Sequence, residues 1–321
     1  MVVGKFNPPH LGHLHLIEVA AARVDRLYAL LCDRPDQSLS AETRRAWLED
    51  ASPGNVTVLI TPDDLPEASE PWAARTLETL PHPPDLAFTS EAWGPEWARL
   101  MGAAHVMVDL DREAVPVSAT RIRADLAGHF HWLVPAARAD LARRVVLVGA
   151  ESTGKSTLAE AMAHELRTVW VPEHGRWYWM GRRHVEDQSW TTDEFRRIAA
   201  AQRRLEDDLA RRAVGGVVVA DTDALVTAAW HERYLGHADP ELEAVVSRVV
   251  PDLYLICCPD IPWVQDGTRE SEAQRIEMHE AIAARAEASA ASVVFLRGSH
   301  EERLADALRA VRALPALPPL V

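Results

Sequence analysis

Residues 144–157, RVVLVGAESTGKST, carry the strongest fold signal in this 321-residue chain. Four apolar residues precede Gly149, and the pattern G-x-x-x-x-G-K-[ST] runs from there to Ser156. An apolar strand that leads through a glycine-rich turn into a helix is the context in which this pattern binds phosphate through backbone N–H groups. The stretch therefore predicts a P-loop on an α/β sheet.

The P-loop interpretation gives a role to its polar residues. Lys155 would bridge the β- and γ-phosphates of ATP, and the hydroxyl of Ser156 would bind Mg²⁺. The predicted ATP site of this half comprises Gly149, Ser152, Thr153, Gly154, Lys155, Ser156, Thr157 and, later in the chain, Arg269.

Strands and helices alternate after the P-loop, which indicates a mainly parallel sheet of about five strands. The further strands are predicted at TVWVPE (168–173), GGVVVAD (215–221), DLYLICC (252–258) and SVVFLRG (292–298). In an open sheet, ligands bind beyond the carboxyl ends of the strands, where Glu173 and Asp221 stand. We expect Asp221 to bind Mg²⁺ and Glu173 to accept the proton of an attacking hydroxyl, with helix capping as the alternative for both.

Four more residues of this half are candidates for substrate or phosphate contacts. Arg176 and Asp223 follow the two carboxylates closely and are assigned to the substrate. The segment WVQDGTR, residues 263–269, stands where a kinase lid would begin. Trp263 is expected to stack on a flat aromatic substrate and Arg269 to neutralise transferring phosphate. Packing for Trp263, and exposed surface charge for Arg176 and Arg269, are the alternatives.

The first third of the chain shows a second α/β pattern with a different motif, GKFNPPHLGH, at residues 4–13. His10 and His13 are three residues apart at the mouth of a predicted helix, so both imidazoles share one face. Two N–H donors at a positive helix end suit the phosphates of ATP during attack on the α-phosphate. A zinc site, the alternative, would need further Cys or His ligands, and only His15 is close.

The segment VSATRIR, residues 117–123, strengthens the nucleotidyltransferase interpretation. Its hydroxyls and backbone amides open a helix, and the guanidinium of Arg123 lies one turn on, so they form a second anion site. The predicted ATP site of this half comprises Gly4, Lys5, Phe6, His10, His13, Ser118, Thr120 and Arg123.

These patterns predict an α/β protein of two domains, each with a mainly parallel sheet. A Rossmann-like nucleotidyltransferase domain would span residues 1–136, and a P-loop kinase domain would span residues 143–314. The residues between them read as a connection. Residues 315–321 are Pro-rich and are predicted to form a disordered tail.

Composition narrows the class of protein further. The net charge is −14, so a broad basic surface for nucleic acid is not expected. No run approaches the roughly 20 apolar residues of a membrane span and no signal peptide is present, so we expect a cytoplasmic protein. Of 34 basic residues only Lys5 and Lys155 are lysines, and each lies in one of the two phosphate motifs. A tight phosphate site admits the compact ammonium of lysine more readily than the wide guanidinium of arginine.

The pair of P-x-H-x-G-H and S-x-T-x-x-R motifs resembles the pyridine-nucleotide and phosphopantetheine adenylyltransferases. Together with the P-loop, and with EHGRWY, VVVADTD and WVQDGTR, the whole chain resembles the NadR family. The resemblance implies that the second domain phosphorylates nicotinamide riboside to NMN with ATP. The first domain would then adenylylate NMN to NAD with release of pyrophosphate. It also implies Mg²⁺ as cofactor and ATP, nicotinamide riboside, NMN and NAD as small-molecule partners; a homo-oligomer is compatible with it.

The resemblance leaves alternatives open. Some family members carry an N-terminal helix-turn-helix, but only three residues precede Gly4, so we expect no DNA binding by that route. One rival is a bifunctional adenylyltransferase and kinase for another coenzyme precursor. Another is a kinase whose first domain senses NAD without turnover.

Overall fold

The computed structural model describes residues 1–262, 271–315, 317 and 320–321. The chain divides into two compact units. The first unit is Met1–Asp140 with Leu317–Val321, and the second is Leu141–Ala316. Trp263 and Arg269, two of the predicted site residues, lie outside the described residues. Within those residues, no helix is both long and apolar enough to cross a membrane.

The first unit alternates strands and helices as the sequence predicts. Its elements are β1 (Val2–Gly4), α1 (Leu11–Ala21), β2 (Leu27–Asp33), α2 (Ala41–Ala51), β3 (Val56–Pro62), α3 (Ser69–Thr79), β4 (Leu86–Thr89), α4 (Gly94–Leu100), β5 (Ala104–Met107), α5 (Ala119–Ala124), α6 (Leu126–His129) and, at the unit boundary, α7 (Pro135–Leu141).

All strand pairs of the first unit are parallel: β1 with β2, β2 with β3, and β4 with β5. β1, β2 and β3 form one ladder and β4 and β5 another. The two ladders meet at Met1, whose amino group donates to the carbonyl oxygen of Leu86 at 2.6 Å and whose carbonyl oxygen accepts from the N–H of Phe88 at 2.9 Å. Side chains alternate across β2: Leu31 packs with α1 on one face, and Leu30 packs with α4 on the other. The sheet is therefore covered on both faces.

The second unit is built in the same way around the P-loop. Its elements are β6 (Arg143–Val148), α8 (Lys155–Glu165), β7 (Val169–Val171), α9 (His174–Arg182), α10 (Thr192–Ala210), β8 (Val217–Asp221), α11 (Ala224–Leu235), α12 (Pro240–Arg248), β9 (Leu253–Cys257), α13 (Glu272–Glu287), β10 (Ser292–Leu296) and α14 (His300–Ala313).

The sheet of the second unit has five parallel strands in the order β10-β9-β6-β8-β7. This parallel sheet, like that of the first unit, confirms the predicted fold class. Because parallel strands end at one edge, the residues after β6, β7 and β8 meet there. That edge carries the P-loop, Glu173 and Asp221. The long helix α10 begins after Thr191, which forms a capping box with Glu194.

The end of the chain differs from the predicted disordered tail at the residues that can be described. Leu320 is buried against the first unit. The carbonyl oxygen of Val321 accepts a hydrogen bond from Nδ2 of Asn7 at 2.8 Å, and its N–H donates to Oγ of Ser38 at 3.0 Å. Leu320 and the backbone of Val321 thus make contacts with the first unit that the proline content of the segment does not predict.

Candidate active sites

The first unit contains a cavity of about 880 Å³ at the carboxyl ends of its strands, which we call the first cavity. It brings together two motifs that are about a hundred residues apart in the chain. All the predicted ATP-site residues of this half line it, namely Gly4, Lys5, Phe6, His10, His13, Ser118, Thr120 and Arg123.

His10 is the N-cap of α1, and this role defines its protonation. Its Nδ1 accepts hydrogen bonds from the N–H groups of Gly12 at 3.1 Å and His13 at 3.3 Å. A ring nitrogen that accepts carries no proton, so the neutral ring holds its proton on Nε2. Burial, with a smaller effect from the charge of Arg112, lowers the pKa of His10 to about 3. His10 is therefore a neutral N–H donor.

His13 stacks on His10, with 3.6 Å between the ring centroids. Burial, followed by His10 and Arg112, holds its pKa well below the usual value. Its Nδ1 is buried and has no hydrogen-bond partner within the described part of the chain. An unpaired buried polar atom is costly, so His13 has hydrogen-bonding capacity that a ligand would satisfy.

The absence of a side chain at Gly12 leaves room for the imidazole of His10, in addition to any close approach of phosphate. A Cβ at this position would lie 3.0 Å from Cε1 and 3.1 Å from Nδ1 of His10. A side chain at this position would require the imidazole to shift by a few tenths of an ångström from its capping position. The glycine of the motif therefore lets the His10 ring fold over the first turn of α1.

The basic residues of the first cavity already have protein partners. Nζ of Lys5 pairs with Asp63 at 3.0 Å. Nη1 of Arg123 donates to the carbonyl oxygen of Asn7 at 2.6 Å, and Nη2 contacts Oγ1 of Thr120 at 3.4 Å. Arg123 thus joins the second motif to the first. Ser118 caps α5 by accepting from the N–H of Arg121.

Two further residues line the first cavity that sequence reasoning missed. Arg112 pairs with Glu91 at 3.0 Å, in a loop that Asp109 organises by accepting three backbone hydrogen bonds. Trp93 is 46% exposed and stands edge-on to Trp97. Neither Arg112 nor Trp93 belongs to a motif, so only the folded loops bring them to the site.

The second unit contains a cavity of about 330 Å³ above the P-loop, which we call the second cavity. The predicted residues that line it are Gly149, Ser152, Thr153, Gly154, Lys155, Ser156, Thr157, Glu173 and Arg176. Gly149 has a φ of +134°, and a Cβ there would lie 2.7 Å from the carbonyl oxygen of Cys257. Only glycine fits this turn.

Two buried arginines donate hydrogen bonds to backbone carbonyl oxygens of the P-loop. Arg275 donates to the carbonyl oxygen of Ser152 at 3.1 Å, and Arg303 donates to that of Thr153 at 2.9 Å. On the cavity side, Nζ of Lys155 donates to the carbonyl oxygen of Ala150 at 2.8 Å. Arginine donors from outside the loop therefore stabilise its conformation, while Lys155 donates to a backbone carbonyl oxygen of the loop itself.

Glu173 and Asp221 lie close enough to influence each other. Burial raises the pKa of Glu173, Lys155 opposes this shift, and Asp221 adds to it. Glu173 precedes α9 but makes no side-chain capping bond, so capping does not account for it. Oδ1 of Asp221 is buried and without a hydrogen-bond partner among the described residues. Asp221 does not cap α11 either, because Asp223 does.

Asp221 pairs with Leu147 on the strand that leads into the P-loop, and an unpaired carboxylate oxygen is the type of ligand that a hard divalent cation prefers. No cluster of three or more His, Cys, Asp and Glu side chains with metal-binding geometry occurs in the described ranges. Mg²⁺ commonly binds through one or two protein oxygens together with water and nucleotide phosphate.

The predicted substrate residue Asp223 takes a structural position instead. It accepts from the N–H of Leu225 at 3.0 Å and from the hydroxyl of Tyr254 at 2.7 Å. Neither Asp223 nor Asp221 is among the residues that line the second cavity, but Asp221 keeps an unpaired carboxylate oxygen whereas both oxygens of Asp223 have partners. Its carboxylate is committed to capping α11 and to a buried tyrosine, which a short sequence pattern does not reveal.

An aromatic wall closes the second cavity, and its members are Trp179, Trp190, Phe195, Trp230 and Tyr234. Their rings are close: Trp190 and Tyr234 stack at 5.9 Å, and Trp230 and Tyr234 at 5.6 Å. The predicted stacking residue, Trp263, lies outside the described residues, and the sequence analysis did not identify this wall. Trp230 and Tyr234 are one helical turn apart on α11, a signal that could have found them.

Comparisons with known proteins agree with the two units. Residues 1–125 match the family model described as cytidylyltransferase-like, and residues 144–303 match the AAA domain model. The "Trifunctional NAD biosynthesis/regulator protein NadR" of Escherichia coli strain K12 is 26% identical over 335 residues. The match covers 97% of this chain and 81% of that protein.

Solved structures give the same result for the fold. A NadR protein in complex with NR superimposes with a TM-score of 0.73 at 23% identity, covering 99% of this chain and 96% of the other. A NadR protein in complex with NAD and AMP-PNP superimposes with a TM-score of 0.69 at 24% identity. The match covers 96% of this chain and 94% of the other.

Fold, cavities and relatives together define the class of this protein. It is a bifunctional transferase that joins a nucleotidyltransferase domain to a P-loop kinase domain. More narrowly, the chain is similar to NadR proteins over 97% of its length at 26% identity.

Proposed function

We propose that the second unit phosphorylates nicotinamide riboside to NMN with ATP, and that the first unit adenylylates NMN to NAD with release of pyrophosphate. One observation carries the proposal: each unit has its own cavity, lined by the phosphate-binding motif of one of these two reactions. The names of the relatives, with NAD biosynthesis and with bound NR, NAD and AMP-PNP, support these substrates.

In the second cavity, Glu173 accepts the proton of the riboside hydroxyl as that oxygen attacks the γ-phosphate of ATP; the bond to the bridging oxygen breaks and ADP leaves. Its raised pKa keeps it a stronger base than an exposed carboxylate. Lys155 exchanges the carbonyl oxygen of Ala150 for phosphate oxygens and stabilises their charge. Ser156 and Asp221 would hold Mg²⁺, which neutralises phosphate charge when bound. The nicotinamide ring packs against the aromatic wall.

In the first cavity, no side-chain nucleophile is needed because the phosphate of NMN attacks the α-phosphate of ATP directly. Nε2–H of His10 donates to phosphate oxygen, because Nδ1 is engaged by the helix. His13 adds a second neutral ring beside it, and α1 contributes its positive end. Arg123 and the start of α5 hold the remaining phosphates.

The test is to incubate the purified chain with nicotinamide riboside, ATP and Mg²⁺ and to follow NMN and NAD by chromatography. NMN should appear first and NAD should follow. In a second assay with supplied NMN, pyrophosphate should be released in step with NAD. Absence of pyrophosphate would reduce the first unit to an NAD sensor. Phosphorylation of a different riboside in a substrate panel would assign the chain to another coenzyme precursor.

A further inference from the structure

Gln202 is a polar side chain buried in the middle of α10, at the floor of the second cavity; it is 1% exposed. Both ends of its amide are engaged. Oε1 accepts a hydrogen bond from the N–H of His174 at 2.8 Å, and Nε2 donates to the carbonyl oxygen of Thr222 at 3.4 Å. Because the backbone N–H can only donate and the carbonyl can only accept, the orientation of the amide is defined.

The two backbone groups belong to the two loops that carry the candidate catalytic carboxylates. His174 directly follows Glu173 after β7, and Thr222 directly follows Asp221 after β8. The first N–H of α9 is satisfied by Gln202 from another helix. The side chain of Glu173 makes no capping hydrogen bond and lines the cavity.

The loop after β8 is held in an unfavourable conformation. Thr222 has a φ of +73°, a left-handed backbone that a β-branched residue rarely adopts. Its N–H donates to the carbonyl oxygen of Leu147 at 3.0 Å, and its own carbonyl receives the amide of Gln202. Such conformations persist only where the surroundings hold them, and they concentrate at functional sites.

We propose that Gln202 is a positioning residue for phosphoryl transfer: its amide ties the loop that carries Glu173 to the loop that carries Asp221. The proposal rests on the proposed kinase function of this cavity. Glutamine suits the task because it offers an acceptor and a donor at one end of an uncharged side chain. An ionised glutamate keeps the acceptor for His174 but loses the donor for Thr222, and methionine loses both.

The experiment compares Gln202→Met and Gln202→Glu with the wild type in the complete chain, using nicotinamide riboside, ATP and Mg²⁺. Gln202→Met should lower the kinase kcat by roughly 10- to 10²-fold, because the carboxylates lose their mutual placement. The KM for ATP should change less than about twofold, since the P-loop is untouched. NAD formation from supplied NMN should not change.

Gln202→Glu gives a readout that simple destabilisation would not move. A carboxyl group at this position lies beside the loops of Glu173 and Asp221, so it favours the protonated form of Glu173. The acid limb of the kinase kcat against pH should therefore move to higher pH. The matched control is Glu206→Gln, a buried polar residue one turn further along α10 that pairs with Arg203. It should alter Tm and leave the acid limb in place.

Each outcome of this comparison either supports or overturns the positioning role of Gln202. Wild-type kcat and an unmoved acid limb in both folded Gln202 variants would overturn the proposal, as would equal changes in the Glu206 control. Should Gln202→Met fail to fold, Gln202→Glu with its pH profile still tests it. Wild-type inactivity toward nicotinamide riboside would instead count against the proposed function, and the comparison would then be run with the riboside that the substrate panel identifies.

Discussion

The two cavities, each proposed to bind ATP, place groups of opposite acid–base character at their phosphate motifs. In the first cavity the polar groups closest to the helix mouth are histidines whose pKa values are lowered, that of His10 to about 3. In the second cavity the candidate base is a glutamate whose pKa is raised. Burial is the leading cause in both, and it acts in opposite directions because it disfavours a cation in one and an anion in the other.

The difference follows from what each reaction demands. The phosphate of NMN is already an anionic nucleophile, so the first cavity needs donors that stay neutral and do not exchange protons. A riboside hydroxyl must lose its proton, so the second cavity needs a base. The same physical effect, removal of water, produces both chemistries because different residue types are buried.

The substitution expected to separate the two activities most strongly is Lys155→Ala. The P-loop loses its phosphate point charge, so NMN formation should fall by roughly 10³-fold. NAD formation from supplied NMN should persist, since Lys155 belongs to the second unit alone. Lys5→Ala is the matched control, because it removes the other lysine of the chain and should impair only NAD formation. Loss of both reactions in either folded variant would contradict two separate sites.

His13→Ala should produce the reverse defect. Removing this ring takes away hydrogen-bonding capacity at the α-phosphate and the stacking partner of His10. NAD formation should fall by roughly 10²- to 10³-fold, and NMN should accumulate because riboside is still phosphorylated. Chromatography of a single reaction mixture measures both products. Normal NAD formation in this variant would remove His13 from the site.

Glu173→Gln sharpens the contrast in proton chemistry. We expect the kinase kcat to fall by roughly 10²-fold while ATP still binds. In the wild type, kcat/KM should decline as the pH falls through the raised pKa of Glu173, because the base must be ionised. This acid limb lies above the usual glutamate pKa of about 4.3 and should vanish in the variant. Near-normal turnover would exclude Glu173 as the base.

Trp230→Ala tests whether the aromatic wall binds the base of the riboside. Loss of one stacking partner should raise the KM for riboside by roughly 10-fold and leave the KM for ATP unchanged. Trp177 is the matched control: it is 62% exposed and is not a lining residue of the second cavity. Equal effects of Trp177→Ala and Trp230→Ala would assign the wall to packing.

The smallest expected effect is the absence of a protonation change at His10 and His13 near neutral pH. The imidazole NMR signal of His10 should not titrate between about pH 5 and 8, because its pKa is lowered to about 3. The signal of His13 should not titrate near the usual histidine pKa, because its pKa is lowered well below that value. A histidine-containing peptide with a pKa of about 6.5 gives the reference curve. A titration of His10 within that window, or of His13 near the usual value, would remove the contrast between the two cavities.

The motifs were readable in the sequence because each is local. The P-loop needs a strand, a turn that only glycine can make at Gly149, and a helix start, all within a few residues. His10 and His13 are likewise placed by one helix N-terminus. The ends of parallel strands meet at one edge, so the positions of Glu173 and Asp221 also followed from the chain order.

Other features depended on packing between distant segments. Asp223 lies in the same short stretch as Asp221, but Tyr254 and the start of α11 claim its carboxylate. Gln202 lies 28 residues from His174 in the chain, yet its side chain joins that residue to Thr222. Arg112 and Trp93 reach the first cavity on loops without a motif.

The sequence alone therefore established two α/β units and the phosphate-binding core of each, because backbone geometry within a short segment specifies them. Which carboxylate stays free, which aromatic rings form the wall and which side chain ties the loops together were decided only by the tertiary structure. Those properties depend on which partners a polar or aromatic group meets after burial, and burial brings together residues from elements far apart in the chain.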